Sequence, residues 1–146
     1  MTASTKEPTV RSWHDIESDF VRAYVAAALW SSNDESRPDG GDPLDDNYDI
    51  EDFAPETLLE MEEDCRRFCE ENGSLLAQYV SDQYTPADLG GHDFWLTRNR
   101  HGSGYWDRTD WLPRKSVRDR LTAASHRCGE YHLYVGDDGK IYGSKG

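Results

Sequence analysis

The chain has 146 residues, of which 36% are hydrophobic and 31% charged, with a formal net charge of -13. This length fits one domain that buries about two-thirds of its unfolded surface. No apolar run approaches the ~20 residues needed to span a bilayer, and we expect no export, because the first residues lack a hydrophobic signal core.

The negative charge is concentrated in one segment. Residues 34–71 contain 16 acidic and 3 basic residues, which accounts for the whole net charge. Such a segment repels a phosphate backbone, so it argues against direct nucleic-acid binding and favours a partner with a basic surface. The sequence predicts no cofactor and leaves the oligomeric state open.

The three cysteines follow no zinc-binding pattern. Cys65 and Cys69 lie four residues apart, which places both on one face of a helix, and Cys128 is distant in sequence. Free cysteines are most often buried, so we expect small core thiols rather than ligands, in a reducing cytoplasm.

The N-terminal part predicts a tail, a helix and a loop. Residues 1–10 have the composition of a disordered tail. An apolar stripe then predicts a helix over residues 12–30, with Ser12 as its N-cap. The polar residues 31–49 are rich in turn formers and predict a long loop.

A second helix is predicted from Pro55, which suits the first position of a helix. Its apolar side continues to Val80, Gly73 marks a break, and its other face is acidic.

The next segment predicts a hairpin. Residues 94–98 alternate in the period of a strand, Gly102 and Gly104 supply a turn, and Tyr105 with Trp106 opens a returning strand.

A third helix is predicted over residues 114–128, with Gly129 as its stop. A second hairpin follows, with the turn at residues 137–139. Together these elements predict a single α+β domain over residues 11–146, with two N-terminal helices packed on a small antiparallel sheet of two hairpins and an intervening helix.

The segment GGHDFWLTRNRHGSGYWDR offers two site hypotheses. His92, Asp93 and His101 would be the acid–base or metal-binding groups of a metal-dependent hydrolase or nuclease, although their spacing matches no established ligand pattern. Arg98, Arg100 and the aromatic Trp106 would instead form a binding tip on the hairpin. Packing within a tight hairpin explains the same residues, and we favour that interpretation over catalysis.

The acidic segment offers a weak cation site and a binding surface. Asp45, Asn47 and Asp49 fall at positions 1, 3 and 5 of an EF-hand-like loop, but Ile50 stands where such loops need Gly. The carboxylates are also clustered enough to imitate the phosphates of a duplex. The residues predicted for that surface are Asp45, Asp46, Asp49, Glu51, Asp52, Glu60 and Glu63.

Four motifs resemble a family of small proteins encoded by tailed bacteriophages and prophages. They are AALWSSNDES, PLDDNYDIEDFAPETL, GHDFWLTRNRHGSGYWDR and LYVGDDGKIY, and the likeness covers residues 20–142. The chain differs at Arg100, where the family tends to have Gly, and at Tyr105, where it tends to have Phe. The resemblance implies phage origin and action in the host cytoplasm, and it transfers no catalytic residue.

These observations favour a non-enzymatic, acidic accessory protein that binds and modulates a host or phage macromolecule, such as a defence or nucleic-acid enzyme, in the manner of a DNA mimic. The metal-dependent hydrolase is the first alternative. A minor component of the phage particle is the second.

Overall fold

The structure is a computed structural model that describes residues 12–36, 38 and 41–146. These residues form a mostly helical α+β fold with four α-helices and one two-stranded antiparallel sheet. The α+β class is confirmed, but only one of the two predicted hairpins forms. The tail predicted at residues 1–10 lies outside the described residues. The elements are α1 (Asp19–Ser31), α2 (Pro55–Leu76), α3 (Pro86–Arg98), α4 (Lys115–Cys128), β1 (Tyr131–Val135) and β2 (Ile141–Lys145).

The first helix begins later than predicted. The Ser12 backbone N–H and hydroxyl both donate to Asp15, at 2.9 and 3.2 Å, but the turn they close is a single 3-10 turn, Trp13–Asp15. The chain then runs extended, and the Ser18 hydroxyl caps α1 by accepting a backbone N–H from its first turn. The helix predicted over residues 12–30 is therefore a 3-10 turn followed by a shorter α-helix.

Helices α2 and α4 begin within one residue of the predicted positions, although α2 ends at Leu76, four residues before the predicted Val80. Pro55 occupies the first turn of α2, and the backbone leaves helical geometry at Asn72 (φ -126°, ψ 18°), one residue before the predicted break at Gly73. Helix α4 ends at Cys128. The next residue, Gly129, stops the helix with a φ of +80°, a conformation that favours glycine. Local signals therefore set both helices.

The segment predicted as the first strand of a hairpin is instead helix α3. The Thr85 hydroxyl accepts the Asp88 N–H at 3.1 Å, and Pro86 fills the first helical position. Nearly every side chain over residues 89–98 is buried. A helix buried on all sides has no polar face to reveal its period, so the strand predicted from the alternation at residues 94–98 is wrong.

Helix α3 approaches α1 closely because it carries a glycine at the crossing. A Cβ atom on Gly91 would overlap the backbone carbonyl oxygen of Phe20. Farther along α3, the Phe94 ring stacks on Phe68 of α2, with centroids 4.0 Å apart, and lies 5.2 Å from Tyr24 of α1. The three helices therefore share one aromatic core.

Strands β1 and β2 form the second of the predicted hairpins. They pair antiparallel, with Tyr131 opposite Lys145. The segment before α2 joins β2, because the Ala54 N–H donates to the Ile141 carbonyl at 2.9 Å and Phe53 forms a parallel bridge with Ile141. This contact fixes the middle of the acidic segment, just before α2, to the sheet.

Candidate functional site

Arg98, predicted at the tip of a hairpin, lies in the core and is 1% exposed. Its guanidinium donates to the Tyr24 hydroxyl and the Asp64 carboxylate, both at 2.9 Å, and to the backbone carbonyls of Cys128 (3.2 Å) and Gly129 (2.8 Å). Burial alone would lower the pKa of Arg98, but Tyr24 and Asp64 raise it above its ordinary value. Arg98 therefore ties the end of α4 to α1 and α2 and offers no binding surface.

Asp93 is also a buried structural centre, at 1% exposure. Arg108 donates to both of its oxygens at 2.7–3.0 Å, and the Tyr79 hydroxyl donates at 2.6 Å. Burial alone would raise the pKa of Asp93, but hydrogen bonds from His92 and Arg108 hold it below the ordinary value. Asp93 is therefore an ionised carboxylate at neutral pH.

Asp93 also orients the ring of His92. The Nδ1 atom of His92 lies 3.2 Å from Asp93 Oδ1. An ionised carboxylate only accepts hydrogen bonds, so Nδ1 carries the proton of the neutral ring and Nε2 is an acceptor. The His92 side chain is 37% exposed and stacks on Trp30, with ring centroids 5.9 Å apart.

The predicted metal-binding trio is not assembled in the described part of the chain. His101 lies exposed beyond the C-terminus of α3, where its backbone N–H donates to the Leu96 carbonyl. No group of three or more His, Cys, Asp or Glu residues among the described residues is placed to hold a metal ion. The geometry joins only His92 to Asp93 and gives the hydrolase alternative no further support.

Arg100 and Trp106, the other residues of the predicted tip, face solvent. Arg100 has a φ of +57°, the one positive value among the described non-glycine residues. Trp106 is 48% exposed in the 3-10 turn Tyr105–Asp107. Because Arg98 is buried, the three residues do not form one surface.

The helical half of the predicted acidic surface is largely neutralised by the chain itself. Glu63 pairs with Arg66 at 2.5 Å and with Arg67 at 3.3 Å, and the hydrogen bond from Arg66 lowers the pKa of Glu63 to about 2. Glu60 lies 3.6 Å from the Lys145 ammonium. Both helical residues of the predicted surface, Glu60 and Glu63, therefore have a cation of the chain beside them.

The other half of the predicted surface lies in residues 42–56, which lead into the first two residues of α2; we call this segment the acidic loop. It contains seven Asp and Glu residues and no Lys, Arg or His. No ion pair between described residues includes any of the seven. Six are exposed and Asp52 is partly exposed; the exposed residues are Asp42, Asp45, Asp46, Asp49, Glu51 and Glu56.

The acidic loop does not form the EF-hand-like arrangement considered from the sequence. It folds as two successive 3-10 turns, Leu44–Asp46 and Ile50–Asp52. Asp49 caps the second turn and also accepts a hydrogen bond from the Trp13 indole N–H at 2.9 Å. Asp45 and Asn47 line the same open depression, of about 600 Å³, without converging on a cation site.

A second surface feature was not predicted from the sequence. A groove of about 670 Å³ lies between α1 and α3 and is lined by five aromatic side chains; we name it the aromatic groove. Trp30 and Tyr84 remain about half exposed at its rim. The sequence shows these rings only as scattered aromatics, but Trp30 at the end of an alanine-rich helical stripe is a usable signal. The five side chains are Trp13, Trp30, Tyr84, His92 and Trp111.

In the described part of the chain, no helix combines the length and the apolar character required to cross a membrane. Comparison of the chain with protein-family models, with curated proteins and with solved structures finds no match in any of the three.

Proposed function

We propose that the protein is a phage-encoded, non-enzymatic accessory protein that uses the acidic loop to bind a basic surface on a host or phage macromolecule. The phage assignment and the action in the host cytoplasm rest on the four sequence motifs described above. A defence or nucleic-acid enzyme is the proposed class of partner, because such enzymes carry basic grooves for phosphates. The loop would occupy such a groove as a DNA mimic.

One observation carries this proposal: among the described residues no cation pairs with a carboxylate of the acidic loop, whereas Glu60, Glu63 and Glu70 on α2 each pair with a cation. Glu63 is neutralised by two arginines of its own helix. Asp45 and Asp46 are exposed and belong to no ion pair between described residues. A surface kept for solubility alone has no need of this concentration in one loop.

The structure also gives the loop a fixed shape. At its start, the Asp34 N–H donates to the Asp42 carbonyl and the Leu44 N–H to the Ser32 carbonyl, both at 2.8 Å. At its end, Ala54 is joined to β2. Because little freedom is left to lose on binding, the carboxylates can attract a basic partner at long range and then dock without large rearrangement.

The test compares two double variants that remove the same charge. Asp45→Asn with Asp46→Asn neutralises the loop, whereas Glu63→Gln with Glu70→Gln neutralises residues that already pair with Arg66. Each variant and the parent chain would be immobilised, exposed to host lysate, and the retained proteins quantified by mass spectrometry.

We expect the parent chain and the α2 variant to retain a protein with a basic surface at about 50 mM salt and to release it by about 500 mM. The loop variant should not retain it. Equal losses in both variants would mean that only net charge matters, and retention that is independent of salt would also exclude the mimic. Thermal unfolding of each variant confirms that the fold is intact.

A further inference from the structure

We propose that the aromatic groove is a second binding site, for an uncharged nucleobase-type ring: a planar heteroaromatic ring with an N–H donor and ring acceptors on its edge. This inference does not use the charge of the acidic loop, although the two features touch where the Trp13 indole N–H donates to Asp49. It rests on the rings, the floor and the polar groups of the groove.

The rings supply aromatic surface that the fold covers only in part. Trp30 is 47% and Tyr84 51% exposed, although large aromatic side chains are usually covered. Tyr84 meets Trp111 edge-on at 6.2 Å, and Trp30 stacks on His92. Rings grouped around one depression favour a planar guest, because aromatic side chains bind bases by stacking.

The floor of the groove is made by small side chains of α1. Ala23, Ala26 and Ala27 lie between the large rings, so the surface is depressed there. The volume of about 670 Å³ falls within the range of about 300–1,000 Å³ that is usual for small-molecule sites. A heteroaromatic small molecule therefore fits this space.

The polar groups at the groove call for a guest with both donors and acceptors. His92 presents Nε2 as an acceptor, because Nδ1 donates to the buried Asp93. Asp88 adds a carboxylate acceptor to the lining, and Arg22, held by Asp19 at 2.7 Å, adds a donor. An indole edge offers only a donor, whereas a nucleobase edge offers both.

The charge of the molecule selects against phosphorylated guests. The net charge is -13, the groove lining includes the Asp88 carboxylate, and Arg22 of the lining is already paired with Asp19. A nucleotide phosphate would be repelled by this field, whereas a nucleoside would not. The geometry therefore favours an uncharged nucleoside over its phosphate.

Adenosine is the probe, and the side-chain N–H signals of the five tryptophans, followed by NMR, are the readout. Adenosine should shift the signals of Trp13, Trp30 and Trp111 and leave that of Trp106 unchanged. Trp30→Ala should weaken binding about 5- to 150-fold, from the usual contribution of about 1–3 kcal/mol for one base–aromatic stack. Trp106→Ala, which removes an equally exposed ring outside the groove, is the matched control and should change nothing.

Two further comparisons test the polar contact and the space. Purine riboside lacks the amino group of adenosine and should bind more weakly to the parent chain, whereas His92→Phe, which keeps a ring but removes Nε2, should make the two ligands equal. Ala26→Phe fills the floor from an exposed position and should weaken adenosine binding without removing any ring.

The proposal is overturned if adenosine leaves the groove tryptophan signals unchanged, or if Trp106→Ala weakens binding as much as Trp30→Ala. Equal or tighter binding of adenosine monophosphate would overturn the charge argument. Tighter binding of N-acetyltryptophanamide would assign the groove to a protein side chain instead of a nucleobase. Asp45→Asn with Asp46→Asn should leave adenosine binding unchanged, which separates this test from that of the acidic loop.

Discussion

Replacing Arg98 with Met removes the buried cation while keeping an apolar side chain of similar length. The Asp64 carboxylate, only 8% exposed, then loses its 2.9 Å partner, and two carbonyls at the end of α4 lose their donor. Removing one member of a buried ion pair costs about 3–5 kcal/mol, and each unsatisfied carbonyl costs about 1–3 kcal/mol if water does not reach it. Arg67, 3.8 Å from Asp64, can move closer and offset part of the loss. We expect Arg98→Met to lower the free energy of unfolding by about 3–5 kcal/mol.

Urea denaturation measures this loss, with the free energy extrapolated linearly to water. The control is Arg100→Met, an exposed arginine two residues away, which should change the free energy of unfolding by less than about 0.5 kcal/mol. Combining Arg98→Met with Asp64→Leu should recover at least about 1 kcal/mol relative to Arg98→Met alone, because the orphaned carboxylate is gone. A loss below about 1 kcal/mol for Arg98→Met, or no recovery in the double variant, would refute the conclusion that Arg98 stabilises the fold by tying α4 to α1 and α2.

Two further predictions concern the same helix and the residues after it. Arg100→Gly should raise the free energy of unfolding by about 0.5–1 kcal/mol in the same urea assay, because glycine adopts the φ of +57° without steric cost; a destabilised variant would contradict this. The pKa of Asp93 is lower in the folded protein than in the unfolded chain, which protonates near pH 4. Its contribution to stability is therefore present above about pH 4 and lost as pH falls through the folded value. Asp93→Asn should flatten the acid limb of the stability–pH curve, and an unchanged slope would show that Asp93 does not contribute to it.

The elements that could be predicted from sequence are those set by local signals. Pro55 begins α2, Gly129 ends α4 with a positive φ, and the turn glycine Gly139, with a φ of +81°, fixes the C-terminal hairpin. Each signal acts through the conformation of its own residue, so no knowledge of the tertiary contacts was required.

Helix α3 could not be predicted in this way, because tertiary packing overrides its local preferences. Gly90 and Gly91 weaken a helix in isolation, yet the Gly91 position is required where α3 meets the α1 backbone. The start signal was present, since Thr85 and Pro86 form a cap and a first turn. It was outweighed by an alternation that reflects complete burial rather than a strand.

The site predictions were limited by the same cause. Arginine is usually a surface residue, so the sequence places Arg98 at the surface. Only the fold shows that it is buried and donates hydrogen bonds to Tyr24 and Asp64. Glu63 counts as surface charge in the sequence, although Arg66 one turn later compensates it. The spacing of Glu63 and Arg66 could have revealed this pair, whereas the aromatic groove depends on two helices that the sequence does not show to be neighbours.

The bridge between Phe53 and Ile141 has a consequence for how the protein is made. The acidic loop is translated long before the strand that holds its far end, so during synthesis its carboxylates lack their final arrangement until the C-terminal hairpin has left the ribosome. A chain without β2 would carry the same charges without the anchor at the far end of the loop. Competence to engage a basic partner would then arise only after β2 has been synthesised.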